Sequence, residues 1–275
     1  MNFSTLWIFV FLLYFAKNYS QEKYIVKYEN GITKIEGFIK DNTLDGIYKE
    51  YHENGNIKTE GFYKNCEYKT NQKEIFIAGC GVGKNNDTIK SGKRHGIWKK
   101  FYENGILSYT ANYHCDIQQG NFYSYNTEGK LETIEFYNEG KLMHSQKFNE
   151  NGILAESSNY KYENGKTEGF KKVHTLQFDE NGDLKSENIV YENDDTLIED
   201  YREYYSNGFL KVEMHTLNGS KNKLYREYFE NGNIKYEGFF KNDYPIKKQY
   251  FYNEDGTLMK VETWKKQKLI ETETK

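Results

Sequence analysis

Three cysteines, six histidines, one glycine-rich stretch and many carboxylates are the residues from which a reactive or metal-binding centre would have to be built. The cysteines are Cys66, Cys80 and Cys115. An odd count leaves one thiol over in an oxidising compartment, and the 14-residue separation of Cys66 and Cys80 makes a loop that a disulfide could close, although three unpaired small residues fit equally well. There is no C-x-x-C pair, so neither a thioredoxin-type centre nor a structural zinc site is indicated. His52, His95, His114, His144, His174 and His215 form no H-E-x-x-H arrangement and no metal-like spacing. His114 adjoins Cys115, but neighbours along a strand point to opposite faces, which argues against a catalytic dyad. The stretch AGCGVGKNN at 78–86 has Ala78 where a phosphate loop needs its first glycine and Asn85 where it needs Ser or Thr. No helical pattern follows it to offer an N-terminus to phosphate. A glycosidase requires two carboxylates facing across a cleft, whereas the glutamates of the recurring E-N-G triplets stand on separate turns. The sequence therefore predicts no enzyme, no cofactor, and no catalytic, cofactor-binding or metal-ligating residue.

What the sequence does contain is repetition. YHENGNIKTEGFYKN at 51–65 returns as YFENGNIKYEGFFKN at 228–242, and His52 takes the place of Phe229, as a strand residue would. Turn glycines fall at Gly31, Gly55, Gly105, Gly129, Gly152, Gly182, Gly208, Gly232 and Gly256, a period of about 24 residues. The interval of 50 between Gly55 and Gly105 is a double one and holds an irregular repeat at about 66–92; an insertion occupies about 158–172. In the eight units from Gly55 onward, an aromatic stands four residues before the glycine, such as Tyr51 or Tyr228, and Ile or Leu two residues after it, such as Ile57 or Ile234. A three-residue E-N-G loop closed by a left-handed glycine brings that aromatic directly across from the aliphatic, whereas a two-residue loop would put them on opposite faces. The predicted fold is all-β: an elongated antiparallel sheet of tandem β-hairpins of about 24 residues, spanning 21–275.

Composition narrows the partners. With 29% charged residues but a net charge of only -3, no one-signed field exists to hold nucleic acid or an anionic membrane. The 26 tyrosines and 18 phenylalanines suit pleated surfaces, and the single proline, Pro245, leaves strands uninterrupted. The apolar run LWIFVFLLYFA, residues 6–16, has the length of an export signal's core and is too short to span a bilayer. Residues 1–20 are accordingly expected to be a signal peptide, the alternative being an uncleaved short anchor, with no integral membrane segment once the signal is removed and a destination in the periplasm, at the cell surface or outside the cell.

At GKRHGIWKKFYENGIL, residues 92–107, the pattern resembles the MORN repeat in its bacterial, antitoxin-like variant. Gly92, Lys93, Gly96, Trp98, Phe101, Tyr102, Asn104 and Gly105 carry the resemblance, which weakens where Trp98 is replaced by Tyr48, Phe122, Tyr201 or Tyr225. It implies a sheet of successive hairpins, and for many members protein binding or scaffolding, with no catalytic residues.

A second aromatic row, seven residues before the glycine, consists of Tyr48, Trp98, Phe122, Tyr201 and Tyr225. Its odd offset from the first row puts the two on opposite faces, so one row could pack inside while this row is a candidate binding surface; equally, both rows could simply shield a thin sheet. The predicted function is an exported, non-enzymatic surface for another protein. The alternatives are a cell-wall or polysaccharide module, with a surface glycan stacked on the rings, and an antitoxin-like protein that neutralises its partner.

Overall fold

A computed structural model describes residues 21–66, 91–162, 172–193 and 196–275, and among them every regular element is a strand. The expected signal peptide, Cys80, the glycine-rich stretch and most of the insertion lie outside the described residues.

The chain divides into two compact units. The N-terminal unit holds the described residues up to Lys130 together with Tyr137–Lys141. Its strands are β1 (Glu22–Lys27), β2 (Thr33–Lys40), β3 (Thr43–Tyr51), β4 (Ile57–Lys64), β5 (Lys93–Arg94), β6 (Gly96–Phe101), β7 (Leu107–His114), β8 (Ile117–Gln118) and β9 (Gly120–Tyr125). The C-terminal unit comprises Leu131–Phe136 and Leu142–Lys275. To it belong most of β10 (Leu131–Asn138) and β11 (Lys141–Phe148), then β12 (Leu154–Lys161), β13 (Lys172–Phe178), β14 (Leu184–Asn193) and β15 (Thr196–Tyr204). It continues with β16 (Leu210–Leu217), β17 (Ser220–Tyr228), β18 (Ile234–Lys241), β19 (Tyr244–Tyr252), β20 (Leu258–Lys265) and β21 (Lys268–Thr274). Pairing is antiparallel between ladder neighbours in each unit, so each is a single-layer sheet.

The inner turns follow from the E-N-G chemistry. At Gly55 the glycine N–H donates to the His52 carbonyl (3.0 Å) and the His52 N–H to the Asn56 carbonyl (2.8 Å). The same two bonds recur at the other turn glycines, from Gly31 to Gly256, whose φ lies between +78 and +90. The bulge this creates brings Tyr51 opposite Ile57, Phe101 opposite Leu107, Tyr204 opposite Leu210 and Tyr228 opposite Ile234. A cross-strand pair of this kind contributes roughly 0.2–1 kcal/mol.

The turns also bind one another. The Asn54 side chain accepts from the Asn56 N–H (2.9 Å), which shapes its own turn, and donates to the Glu103 carbonyl of the next (2.8 Å). Asn104, Asn207 and Asn231 reach Thr127, Glu230 and Glu254 in the same way. One position from the loop, the hydroxyls of Tyr28, Tyr102 and Tyr205 donate to the carbonyls of Tyr51, Tyr125 and Tyr228 (2.7–2.8 Å). His52 spans the double interval by the same route, its Nε2 lying 3.0 Å from the Phe101 carbonyl oxygen.

At the opposite ends of the hairpins the turns are tight. Asp41–Asn42, Cys115–Asp116, Asn242–Asp243 and Lys266–Gln267 each carry two consecutive positive φ values, the mark of a two-residue type I′ turn.

One row of positions sets the packing. Six residues after each turn glycine comes a position that is often small, and across the ladder from it stands the residue seven before a turn glycine. Tyr48 lies between Gly37 and Gly61, Trp98 opposite Ala111, and Tyr225 between Met214 and Gly238. Trp98 also extends over Gly61, where an added Cβ would overlap its indole ring. Tyr48, Tyr63 and Trp98 meet at ring-centroid distances of 4.7–5.8 Å, and the indole N–H donates to the Phe62 carbonyl (3.2 Å). The C-terminal unit fills part of this row with small polar residues, Ser145 opposite Ser158 and Ser158 opposite Thr175, the latter two hydroxyls 3.0 Å apart.

The two kinds of glycine should fail differently. Gly208 has φ +84 with open space around it, so Gly208→Ala is expected to cost about 1–2 kcal/mol through backbone strain and Gly208→Asn less. At Gly61 the obstacle is a ring, so Ala costs about 1–3 kcal/mol and Asn at least as much. Urea unfolding of the four variants checks the contrast.

Candidate functional site

The row proposed as a binding surface is instead the covered face. Tyr48 is 9% exposed and Trp98 5%, while Phe122, Tyr201 and Tyr225 are half-buried. Burial pushes the hydroxyls of Tyr48 and Tyr225 well above the ordinary phenol range, and that of Tyr63 up to about 12. The alternation correctly put the two aromatic rows on opposite faces. Which face is covered is decided by the small residues beside the second row, which let its rings lie down on the sheet.

On the other face, one residue along, runs an alternating charge ladder. In the C-terminal unit Glu187, Arg202, Glu213, Arg226 and Glu237 stand opposite one another in successive strands β14 to β18. Arg202 bonds Glu187 (2.9 Å), and Arg226 bonds both Glu213 (3.0 Å) and Glu237 (2.5 Å). The N-terminal unit repeats the arrangement with Glu36, Lys49, Glu60 and Lys99, Lys99 and Glu60 lying 3.1 Å apart. The Tyr51 and Tyr228 hydroxyls, on this same face, donate to Glu36 (3.1 Å) and Glu213 (2.8 Å). Burial and the Glu213 bond push Tyr228 up to about 12. Sequence reading missed this ladder, whose signal was an acid five after one turn glycine and a base six before the next.

Two residues farther from the turns the units diverge. In the C-terminal unit His144, Asn159, His174, Ile189, Asp200 and His215 are successive ladder partners. His174 contacts Glu187 (2.8 Å) and His215 contacts Asp200 (2.6 Å), which also accepts from the Tyr191 hydroxyl. Burial works to raise the carboxyls of Glu187 and Asp200, but hydrogen bonds from Arg202 and His174, and from Tyr191 and His215, outweigh it and hold both below their ordinary values. In the N-terminal unit the same positions are apolar and open: Ile47 is 57% exposed, its ladder partner Phe62 40%, and Ile97 64%.

The ends of the hairpins distant from the E-N-G turns bring the chemistry-bearing residues of the N-terminal unit together. Cys66 is joined to Cys115 by a disulfide, with Cα atoms 5.9 Å apart and a sequence separation of 49. The expected partner of Cys66, Cys80, is thereby displaced. Repeat register explains the choice: Cys66 lies 11 residues beyond Gly55 and Cys115 lies 10 beyond Gly105, so both come to the same end of neighbouring hairpins. Beside them the His95 ring sits 5.1 Å from that of His114, and Arg94 is held between the Asp116 carboxylate (3.1 Å) and the face of Tyr113 (3.9 Å).

Three stretches, 44–65, 94–114 and 221–242, match the family model of a MORN repeat variant. Each covers one E-N-G hairpin, and they are the three with Tyr48 beside Gly61, Trp98 beside Ala111 and Tyr225 beside Gly238. No curated protein matches the chain. Among solved structures, a crystal structure of a protein with unknown function from Bacteroides fragilis is similar at 12% identity, covering 55% of this chain and 96% of that one with a TM-score of 0.19.

Two outcomes test this geometry. Groups with depressed folded values give stability that is complete above the unfolded carboxylate range and is lost as pH falls through the folded value. The melting temperature should therefore drop between about pH 5.5 and pH 3, less steeply in Glu187→Gln than in the parent. Peptide mapping under non-reducing conditions should recover Cys66 linked to Cys115, and Cys115→Ser should cost about 4 kcal/mol in unfolding free energy on chain-entropy grounds.

Proposed function

We propose that this chain is an exported, non-enzymatic repeat protein that binds another protein through the open face of its N-terminal unit. The observation that carries the proposal is the exposed apolar row Ile47, Phe62 and Ile97 on β3, β4 and β6, bordered by the ladder Glu36, Lys49, Glu60 and Lys99. Singly exposed aliphatic residues need no explanation, but Ile47 and Phe62 are direct ladder partners and Ile97 lies on the next strand. An apolar centre with a polar rim of both signs is the arrangement of a protein interface, in which the charges set register and partner choice. The partner is expected to present aliphatic side chains flanked by charges that complement the ladder.

A sugar ligand is less well served. Glycan modules stack rings on sugars, and here Tyr48 and Trp98 are committed to the covered face. An antitoxin-like role would use the same open surface and differ only in that the partner is a harmful protein. The MORN repeat matches support a binding role in general, and the Cys66–Cys115 bond supports an oxidising destination, since disulfides persist mainly outside the cytoplasm. Among the described residues no helix is long and apolar enough to cross a membrane.

A photo-crosslinking residue placed at Ile97 in the producing cell is expected to yield one discrete protein adduct. Ile47→Asp, with its melting temperature unchanged, should weaken that partner's binding at least tenfold, about 1.4 kcal/mol. Undiminished binding by Ile47→Asp, or adducts formed only from positions on the covered face, would refute the surface. A reporter fused after residue 25 that stays inactive in the periplasm would refute export.

A further inference from the structure

Beside the Cys66–Cys115 bond, a ring nitrogen of His95 and the two sulfurs all lie within 4.8 Å of one another. The Nδ1 atom of His95 is buried and has no hydrogen-bond partner among the described residues. That is an uncommon condition. A buried imidazole nitrogen without a partner has lost its hydrogen bond to water and gained none in exchange, so it calls for an explanation, a bound ion being one. The backbone holds the ring in place regardless, because the His95 N–H donates to the Phe62 carbonyl (2.9 Å) and Gly96 pairs with Tyr113.

We propose that Cys66, His95 and Cys115 form a redox-gated metal site, closed while the disulfide stands and taking one Zn2+ when it is reduced. Two thiolates and an imidazole are a donor set that zinc accepts in tetrahedral geometry, with bonds of about 2.3 Å to sulfur and about 2.0–2.1 Å to nitrogen. Around a tetrahedral ion the two sulfurs would stand about 3.7 Å apart, and the Cα separation of 5.9 Å leaves them within reach of it. Harder oxygen-seeking cations such as Mg2+ and Ca2+ are disfavoured by the same donors. Three protein ligands leave a fourth position, for water or for His114, whose ring lies 5.1 Å from that of His95.

The chemistry balances with a thiol reductant. Two equivalents of a small thiol give two electrons and two protons to the Cys66–Cys115 bond and are themselves joined as a disulfide. The two protein thiols then release their protons as the thiolates bind the ion. The cation is therefore bound more tightly as pH rises, and zinc in turn opposes reoxidation by occupying both sulfurs. No C-x-x-C signature marks this site, because its ligands come from different repeats: Cys66 follows β4, His95 precedes β6 and Cys115 lies in the turn between β7 and β8.

The test uses the full chain carrying Cys80→Ser, so that the third thiol cannot contribute, reduced with a phosphine and kept free of air. Titration with Co2+ is expected to give one equivalent of a visible tetrahedral spectrum with thiolate charge-transfer bands, displaced by Zn2+. His95→Ala should lower the affinity at least tenfold, and Cys66→Ser or Cys115→Ser should abolish the charge-transfer bands, while the oxidised protein should bind neither ion. Circular dichroism of each variant separates loss of the site from loss of the fold, and the two serine variants give independent routes should one misfold. Absence of Co2+ uptake by the reduced protein at micromolar concentration would overturn the proposal. So would equal uptake by the oxidised protein, or a spectrum indifferent to His95→Ala.

Discussion

Everything in this molecule depends on rings having somewhere to lie. A single-layer sheet has no opposing layer to receive large side chains, so an aromatic residue can be covered only by lying along the sheet over its neighbours. That is feasible where the ladder partners are small. Gly37 leaves room beside Tyr48, Gly61 lies under the Trp98 ring, and Gly238 lies under the Gln249 amide and the Tyr236 hydroxyl. With Tyr48 and Trp98 laid down on one face, the opposite face is free to carry charge. The three hairpins that match the MORN repeat variant are those that carry Tyr48, Trp98 and Tyr225.

Much of the architecture was legible because the repeat constrains it several times over. The period, the aromatic four before each glycine and the aliphatic two after it together admit one loop length, and the ladder has the register that this loop demands, Tyr51 facing Ile57 and Tyr228 facing Ile234. What escaped were relations between repeats. Alternation shows that Tyr48 and Tyr51 face opposite ways, but not which way is covered. Gly61 and Gly37 contain that answer, because only the face with small partners can accept a ring. The acid–base ladder escaped for a similar reason: Glu213 and Arg226 look unrelated until the strands are set side by side.

Cysteine spacing misled because it was measured along the chain. Cys66 and Cys80 are close in sequence, yet counting from the turn glycines brings Cys66 and Cys115 to matching places in successive hairpins. The asparagine that precedes most of the turn glycines was likewise read only as part of the E-N-G loop. Its amide also donates to the next turn, a second duty visible only when two turns are superposed on one column.

These stitches have a consequence for how the chain comes into being. Asn104 and Asn207, like Tyr102 and Tyr205, hold a donor ready for a carbonyl 23 residues later, and among the described residues the extensive strand contacts run between ladder neighbours. Among the described residues each hairpin is completed by the strands next to it in the ladder. Structure can accrue vectorially, each newly emerged segment docking on the last as the polypeptide leaves a ribosome or a translocation channel, with the low contact order that favours fast folding.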